Sequence, residues 1–299
     1  MSTSPILSCI GAGRLGSTLC KLLAQHLSIG QVLNRSQASS DQAAEFIGAG
    51  TAINNSDQLQ TADIWLLATP DDAIESNFKI LQARSMLRSG DIVFHCSGAL
   101  TAAILRQPSV LSASIHPMHS FADPQRSAKN FAGTPCAIEG HPSAVAKLVK
   151  LFNAIGARPF EISSTQKVLY HAAAVMSCNY LVTLLDTGEN ILRAAGIDSG
   201  GPADSPLRPL IEQTIQNYYS TSAKRALTGP IARGDHGTVV AHLSALEKSS
   251  TANPMWPDLY RSLGLASVLL ARQLNPTGSA ELDRIEKLLR ADKDAQINP

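Results

Sequence analysis

Gly11-Ala12-Gly13-Arg14-Leu15-Gly16 sets three glycines in a GxGxxG spacing between a short apolar run, Ile6–Ile10, and a stretch of helical spacing, Arg14–His26. Between strand and helix each glycine has a separate use. Gly11 permits a tight turn, Gly13 lets a pyrophosphate approach the backbone, and Gly16 allows close packing of helix on strand. The helix start around Arg14 and Leu15 also offers unpaired N–H groups to an anion. A dinucleotide is the expected ligand. The second strand ends Leu33-Asn34-Arg35-Ser36, without the Asp or Glu common at an NAD site. A carboxylate there would repel a 2′-phosphate, whereas Arg35 pairs with one and Asn34 and Ser36 can donate to it. Arg14, inside the glycine loop, reaches the same region. The expected cofactor is therefore NADP.

Two further loops, Thr69-Pro70 and Ser97-Gly98, follow strands expected to run parallel to the first. Ligands of such sheets bind beyond the strand carboxyl ends, so these loops are expected to line the ribose and nicotinamide. His116-Pro117-Met118-His119 follows another such strand, and His116 is a candidate for meeting the substrate. His116 and His119 lack a third nearby ligand, so no metal is expected. Lys167 and His171 lie four apart and share a helix face, with Cys178 on that face and Asn179 at its rim. Polar heads on a helix that otherwise reads as buried need partners, which a ligand cleft between domains would supply. Either Lys167 or His171 is the expected proton donor, with Asn179 as a substrate contact. Finally, Leu227–Thr238 gathers Thr228, Arg233, Asp235 and Thr238. Arg233 suits bidentate binding of a substrate carboxylate, and Thr228 and Thr238 offer hydroxyls. The bland alternative is a helix–helix turn capped by Asp235.

Strands and helices alternate through the first half, which implies βαβ units and a mostly parallel, Rossmann-type sheet. Expected strands are Ile6–Ile10, Gln31–Leu33, Ile64–Ala68, Ile92–Cys96, Val110–His116, Pro135–Glu139 and Pro159–Ile162. From Ser163 onward the periodicity is helical only, with a long helix Gln166–Ala195 and later ones at Leu207–Ser220, Thr238–Lys248, Met255–Leu274 and Ala280–Ala291. Residues 1–162 are thus expected to form a dinucleotide-binding domain and residues 163–299 an all-helical substrate and dimerisation domain. Val168–Leu185 has no Asp, Glu, Lys or Arg over eighteen residues. It approaches membrane-spanning length, but its His171, Ser177, Asn179 and Thr183 favour a buried central helix, and no membrane partner is expected.

At 299 residues the length suits two domains. A charged share of 16% and a net charge of +1 argue against disorder and against nucleic acid as a partner. Aromatics at 5% argue against base-stacking platforms. Five cysteines without a CxxC pair read as reduced thiols in a cytoplasmic protein, and no signal peptide is evident at the N-terminus.

The glycine loop, Ala68-Thr69-Pro70-Asp71, His95-Cys96-Ser97-Gly98-Ala99, Ser114-Ile115-His116-Pro117, and Leu227-Thr228-Gly229-Pro230 with Arg233-Gly234-Asp235 occur together in this order. The set resembles a family of Rossmann-like oxidoreductases with a helical C-terminal domain of largely unassigned function. That family sits beside the β-hydroxyacid dehydrogenases, pyrroline-carboxylate reductases and ketopantoate reductases. In those relatives a lysine on the long interdomain helix, with an Asn four residues later, serves the substrate. The resemblance places Lys167 at the lysine, with His171 in place of the Asn. A second Asn of the ketopantoate reductases falls on Val175, with Asn179 one turn beyond. The resemblance implies an NADPH-dependent reductase of a small anionic 2-oxo acid, with 2-dehydropantoate (ketopantoate) as the leading substrate and a homodimer as the assembly. Its rivals are an imine reductase and a non-catalytic NADP-binding sensor.

Overall fold

The computed structural model describes residues 4–198, 200–249, 253–274 and 280–290. Strand and helix alternate as β1 (Ile6–Ile10), α1 (Arg14–Leu23), β2 (Ser28–Leu33), α2 (Gln37–Ile47), β3 (Thr51–Ile53), β4 (Ile64–Leu67), α3 (Asp71–Ala83), β5 (Ile92–His95), β6 (Leu111–Pro117), α4 (Pro124–Asn130), β7 (Pro135–Gly140), α5 (Pro142–Ala154) and β8 (Arg158–Glu161). The eight strands form one sheet in the order β3-β2-β1-β4-β5-β6-β7-β8. All neighbours are parallel except β6 with β7. The Rossmann-type class expected above is the class observed. Both faces are covered, which is why β4 and β5 read as continuous apolar runs. Ile64, Leu66, Ile92 and Phe94 join one core with Leu19 and Phe152; Trp65, Leu67 and Val93 join the other with Phe78 and Leu81.

In the strand-bearing half two elements, β3 and α4, lay outside the sequence expectation. β3 is three residues long, too short to show alternation. α4 begins at the Asp123 cap with Pro124 in its first turn and buries only Ser127. Between β5 and β6, Ala102–Leu105 forms a 3₁₀ turn.

After β8 the chain is helical: α6 (Lys167–Ser177), α7 (Asn179–Ala194), α8 (Leu207–Ser220), α9 (Ala223–Ala226), α10 (Pro230–Arg233), α11 (His236–Lys248), α12 (Met255–Arg272) and α13 (Ala280–Arg290). Contacts divide the chain into two compact units, Met1–Tyr180 and Leu181–Pro299. The strands end at Glu161, near the expected change of character, but α6 packs on the sheet and belongs to the first unit. The second unit has its own core of Ile231, Val239, Leu243, Val268, Ile285 and Leu289.

The single long helix expected from Gln166 to Ala195 is corrected: it is interrupted at Cys178. Nor is it buried. Only the face with Lys167, Tyr170 and His171 meets the sheet, while Val168, Leu169 and Met176 are 69%, 71% and 61% exposed. By length and composition Ser164–Ala194 is apolar enough to cross a membrane.

Candidate active site

The glycine loop follows β1 and opens α1. Gly11 has φ +88°, and a Cβ there would lie 2.6 Å from Thr69 Cγ2 and 2.8 Å from the Ala68 carbonyl carbon. At Gly16 a Cβ would lie 2.7 Å from the Gly11 carbonyl oxygen. Both glycines are therefore required by the protein itself. Gly13 is different: a Cβ there would meet nothing within 4 Å, and the residue is exposed. The backbone at Gly13 lies open at the start of a ten-residue helix with no side-chain cap and no acidic residue in its first turn. Its N–H groups and positive dipole end suit a phosphate. Thr69, beside Gly11, has a buried Oγ1 without a hydrogen-bond partner. An open glycine, an uncapped helix start and an orphaned hydroxyl together fit a dinucleotide.

Beyond β2, Arg35 and Arg14 are exposed. Ser36 is exposed and caps α2, its Oγ accepting from Ser39 N. Asn34 departs from its expected role. Its amide nitrogen donates to Ser39 O at 2.9 Å and to Ala12 O at 3.5 Å, so it braces the loop instead of facing outward as a donor. The two arginines remain as exposed cations.

The loop after β5 is held from all sides. Ser97 Oγ donates to Asp71 Oδ2 at 2.7 Å and accepts from Ala99 N and Leu100 N. Ser97 N donates to His95 Nδ1, and Ser97 O accepts from Lys167 Nζ at 3.1 Å. Ser97, expected to touch the cofactor, is thus occupied in building the turn that presents Gly98.

Lys167 is also corrected. It is 1% exposed. Its ammonium donates to Ser97 O and Ser114 Oγ and lies 3.6 Å from Glu139 Oε1. Burial pulls its pKa down, and Glu139 pulls it back up. Glu139 in turn accepts from Ala102 N at 2.8 Å. Lys167 therefore ties α6 to β6, β7 and the Gly98 loop, and its protons are engaged.

Gly98 lies between two imidazoles. A Cβ on it would overlap His171 Nδ1 and come within 3.0 Å of His116 Nε2. The two rings stand edge to face at 5.4 Å. His171 Nδ1 is buried without a hydrogen-bond partner. His116 Nδ1 lies 2.9 Å from the Tyr170 hydroxyl. Burial, with His171 and Lys167 nearby, lowers the His116 pKa to about 4, so the ring is neutral at pH 7. Tyr170 escaped the sequence reading: between Lys167 and His171 it looks like an ordinary helical aromatic. His119 packs edge-on to Phe121 and Phe131.

Cys178, expected on the His171 face, and Asn179, expected at its rim, are exposed, and α6 ends at Cys178. In the second unit the capping alternative holds for part of Leu227–Thr238. Asp235 accepts from Thr238 N at 3.1 Å and from Thr238 Oγ1 at 2.7 Å. Thr238 is thus a cap partner with its proton engaged, not the free hydroxyl expected. Arg233 is exposed at the end of α10. Thr228 lines a cavity of about 270 Å³ with Ile231, Leu263, His242 and Tyr260. His242 Nδ1 and the Tyr260 hydroxyl lie 2.9 Å apart in its wall. Among the described residues no group of three or more His, Cys, Asp or Glu is placed to hold a metal.

Residues 4–117 match the model of a Rossmann-like domain, and residues 134–267 match that of a domain of unknown function, DUF2520. No curated protein sequence matches the chain. Among solved structures, a protein of Bacteroides fragilis provisionally named an NADP oxidoreductase is 23% identical, with a TM-score of 0.74 over 88% of this chain and 97% of its own. A Thermotoga maritima protein is 24% identical, with a TM-score of 0.67 over 89% of this chain and 98% of its own. An imine reductase of Myxococcus stipitatus, solved with NADP+, is 18% identical, with a TM-score of 0.59 over 94% of this chain and 99% of its own. Likeness at these identities is one of fold. The chain joins a Rossmann-like domain to a DUF2520 domain, in a fold shared with oxidoreductases.

Proposed function

We propose that the protein is an NADPH-dependent reductase of a small 2-oxo acid, with 2-dehydropantoate as its leading substrate. The observation that carries the reading is the open backbone at Gly13 on an uncapped helix start, while Gly11 and Gly16 are closed in by the protein. In this reading the N–H groups from Arg14 to Gly16 hold the pyrophosphate, since the Gly13 N–H donates to Gly11 O. Arg35 and Arg14 hold the 2′-phosphate, and Thr69, Pro70 and Gly98 line the strand ends towards the nicotinamide. The cofactor, when bound, supplies the hydride. His171 protonates the forming alkoxide, since its Nδ1 lacks a partner whereas the Lys167 ammonium is engaged. Lys167 positions the Gly98 loop.

We also propose a homodimer, in which a second copy covers the exposed Val168, Leu169 and Met176. A second reading, reduction of an imine, is favoured by the whole-chain likeness to the Myxococcus stipitatus enzyme. NADPH oxidation measured over a panel of 2-oxo acids, 2-dehydropantoate included, and cyclic imines tests both. Turnover of 2-oxo acids supports the first reading. Turnover of imines alone moves the function to the second, and NADPH binding without turnover of either leaves a sensor.

A further inference from the structure

The His116–Tyr170 pair bears on the substrate class. The Tyr170 hydroxyl lies 2.9 Å from His116 Nδ1 and 3.5 Å from the His116 carbonyl oxygen. A hydroxyl carries one proton, and given to the ring over the shorter contact it makes Nδ1 the acceptor. Burial raises the Tyr170 pKa to about 12, so that proton stays in place across the working range. His116 is neutral above about pH 5, given its pKa near 4. A neutral imidazole has one N–H, and when Nδ1 accepts, the proton resides on Nε2. Among the described residues no protein group is hydrogen-bonded to Nε2, which lies 3.0 Å from where a Gly98 side chain would begin. The Gly98 position is closed by the His171 ring, and the half-buried His116 ring stands at the strand edge where ligands of such sheets bind.

We propose that Tyr170 fixes the tautomer of His116, so that Nε2–H is a standing neutral donor which selects a ketone oxygen over an iminium nitrogen. A ketone oxygen, and the alkoxide formed from it, has lone pairs to accept this bond. A protonated iminium nitrogen has none. This deepens the reductase reading above and rests on it for the substrate, but the tautomer itself does not. Tyr170 is in this sense a positioning residue acting through His116.

The test has two arms. In the first, long-range ¹H–¹⁵N correlation spectra of the ¹⁵N-labelled full-length protein at pH 7 assign the His116 ring, with His116→Gln identifying its signals. The expected result is a bare, pyridine-type Nδ1 and a protonated Nε2, with Tyr170→Phe giving a mixed tautomer. A protonated Nδ1 in the unaltered protein overturns the proposal, whatever the activity. In the second arm, Tyr170→Phe is compared with the unaltered protein on 2-oxo acids and cyclic imines. The ratio of ketone to imine kcat/KM should fall about ten-fold. An unchanged ratio overturns the selectivity claim. Absence of turnover on every substrate defeats the reductase reading, and with it the selectivity claim, while the first arm still decides the role of Tyr170.

Discussion

Replacing Lys167 with Met removes a buried cation that three groups depend on. Ser97 O and Ser114 Oγ each lose a donor, and Glu139, with its side chain 12% exposed, loses the charge 3.6 Å away. Breaking a buried pair by deleting one partner costs about 3–5 kcal/mol. The partial exposure of Glu139 and the loose contact place this loss at the low end, about 3 kcal/mol. For a unit of 180 residues that is roughly 6–12 °C in Tm. Adding Glu139→Gln removes the stranded charge and should restore about 1–2 kcal/mol, a coupling that a double-mutant cycle measures. Calorimetry or circular dichroism on the four proteins gives the energies. Steady-state reduction gives the function: Lys167→Met should lower kcat through the displaced Gly98 loop, yet keep the shape of the pH profile, since the lysine is not the donor. A Tm within 1 °C of the unaltered protein, or no recovery on adding Glu139→Gln, refutes the bracing role. Loss of one limb of the pH profile returns Lys167 to proton transfer.

His95 and His116 are both held neutral by burial, with pKa values of about 4 against an ordinary 6.5. The unfolded chain therefore takes up these protons first, so stability falls as pH drops from about 6.5 to 4, by up to about 3 kcal/mol per histidine, and urea midpoints across that range should show it. Gly13→Ala should leave Tm unchanged but weaken NADPH binding, whereas Gly16→Ala, facing the Gly11 carbonyl at 2.7 Å, should lower Tm; thermal melts with NADPH titration separate the two. Calorimetry should show NADPH bound more tightly than NADH, and Arg35→Ala should shrink that difference by about ten- to hundred-fold, the roughly 1.5–3 kcal/mol of a charged hydrogen bond. Light scattering should give about twice 31.7 kDa, and Leu169→Asp should bring the mass down to one chain; a protein that needs detergent to stay in solution would point to a bilayer as the cover instead.

The glycine loop, the ends of β1, β4, β5 and β6, and α8 at Leu207–Ser220 were legible from residue type and spacing alone. Each depends on local rules: a positive φ at Gly11, apolar runs stopped by Gly or Pro, and helical periodicity. These rules also put Lys167 and His171 on one helix face, and both do face the sheet. Which of the two keeps a free polar atom was a tertiary matter. Lys167 meets Ser97 and Ser114, 70 and 53 residues away in sequence, and its ammonium is satisfied there, while His171 Nδ1 finds no partner. Tyr170 became visible only because His116, 54 residues earlier, ends within hydrogen-bond reach. Asn34 was read as a ligand donor from its place at a strand end, but the backbone of the following helix claims its amide. The apolar run after Val168 was read as buried because composition records hydrophobicity and not what covers it. Side-chain chemistry and periodicity are local properties of the chain; the partners that engage or spare each polar head are brought together by the packing of distant elements.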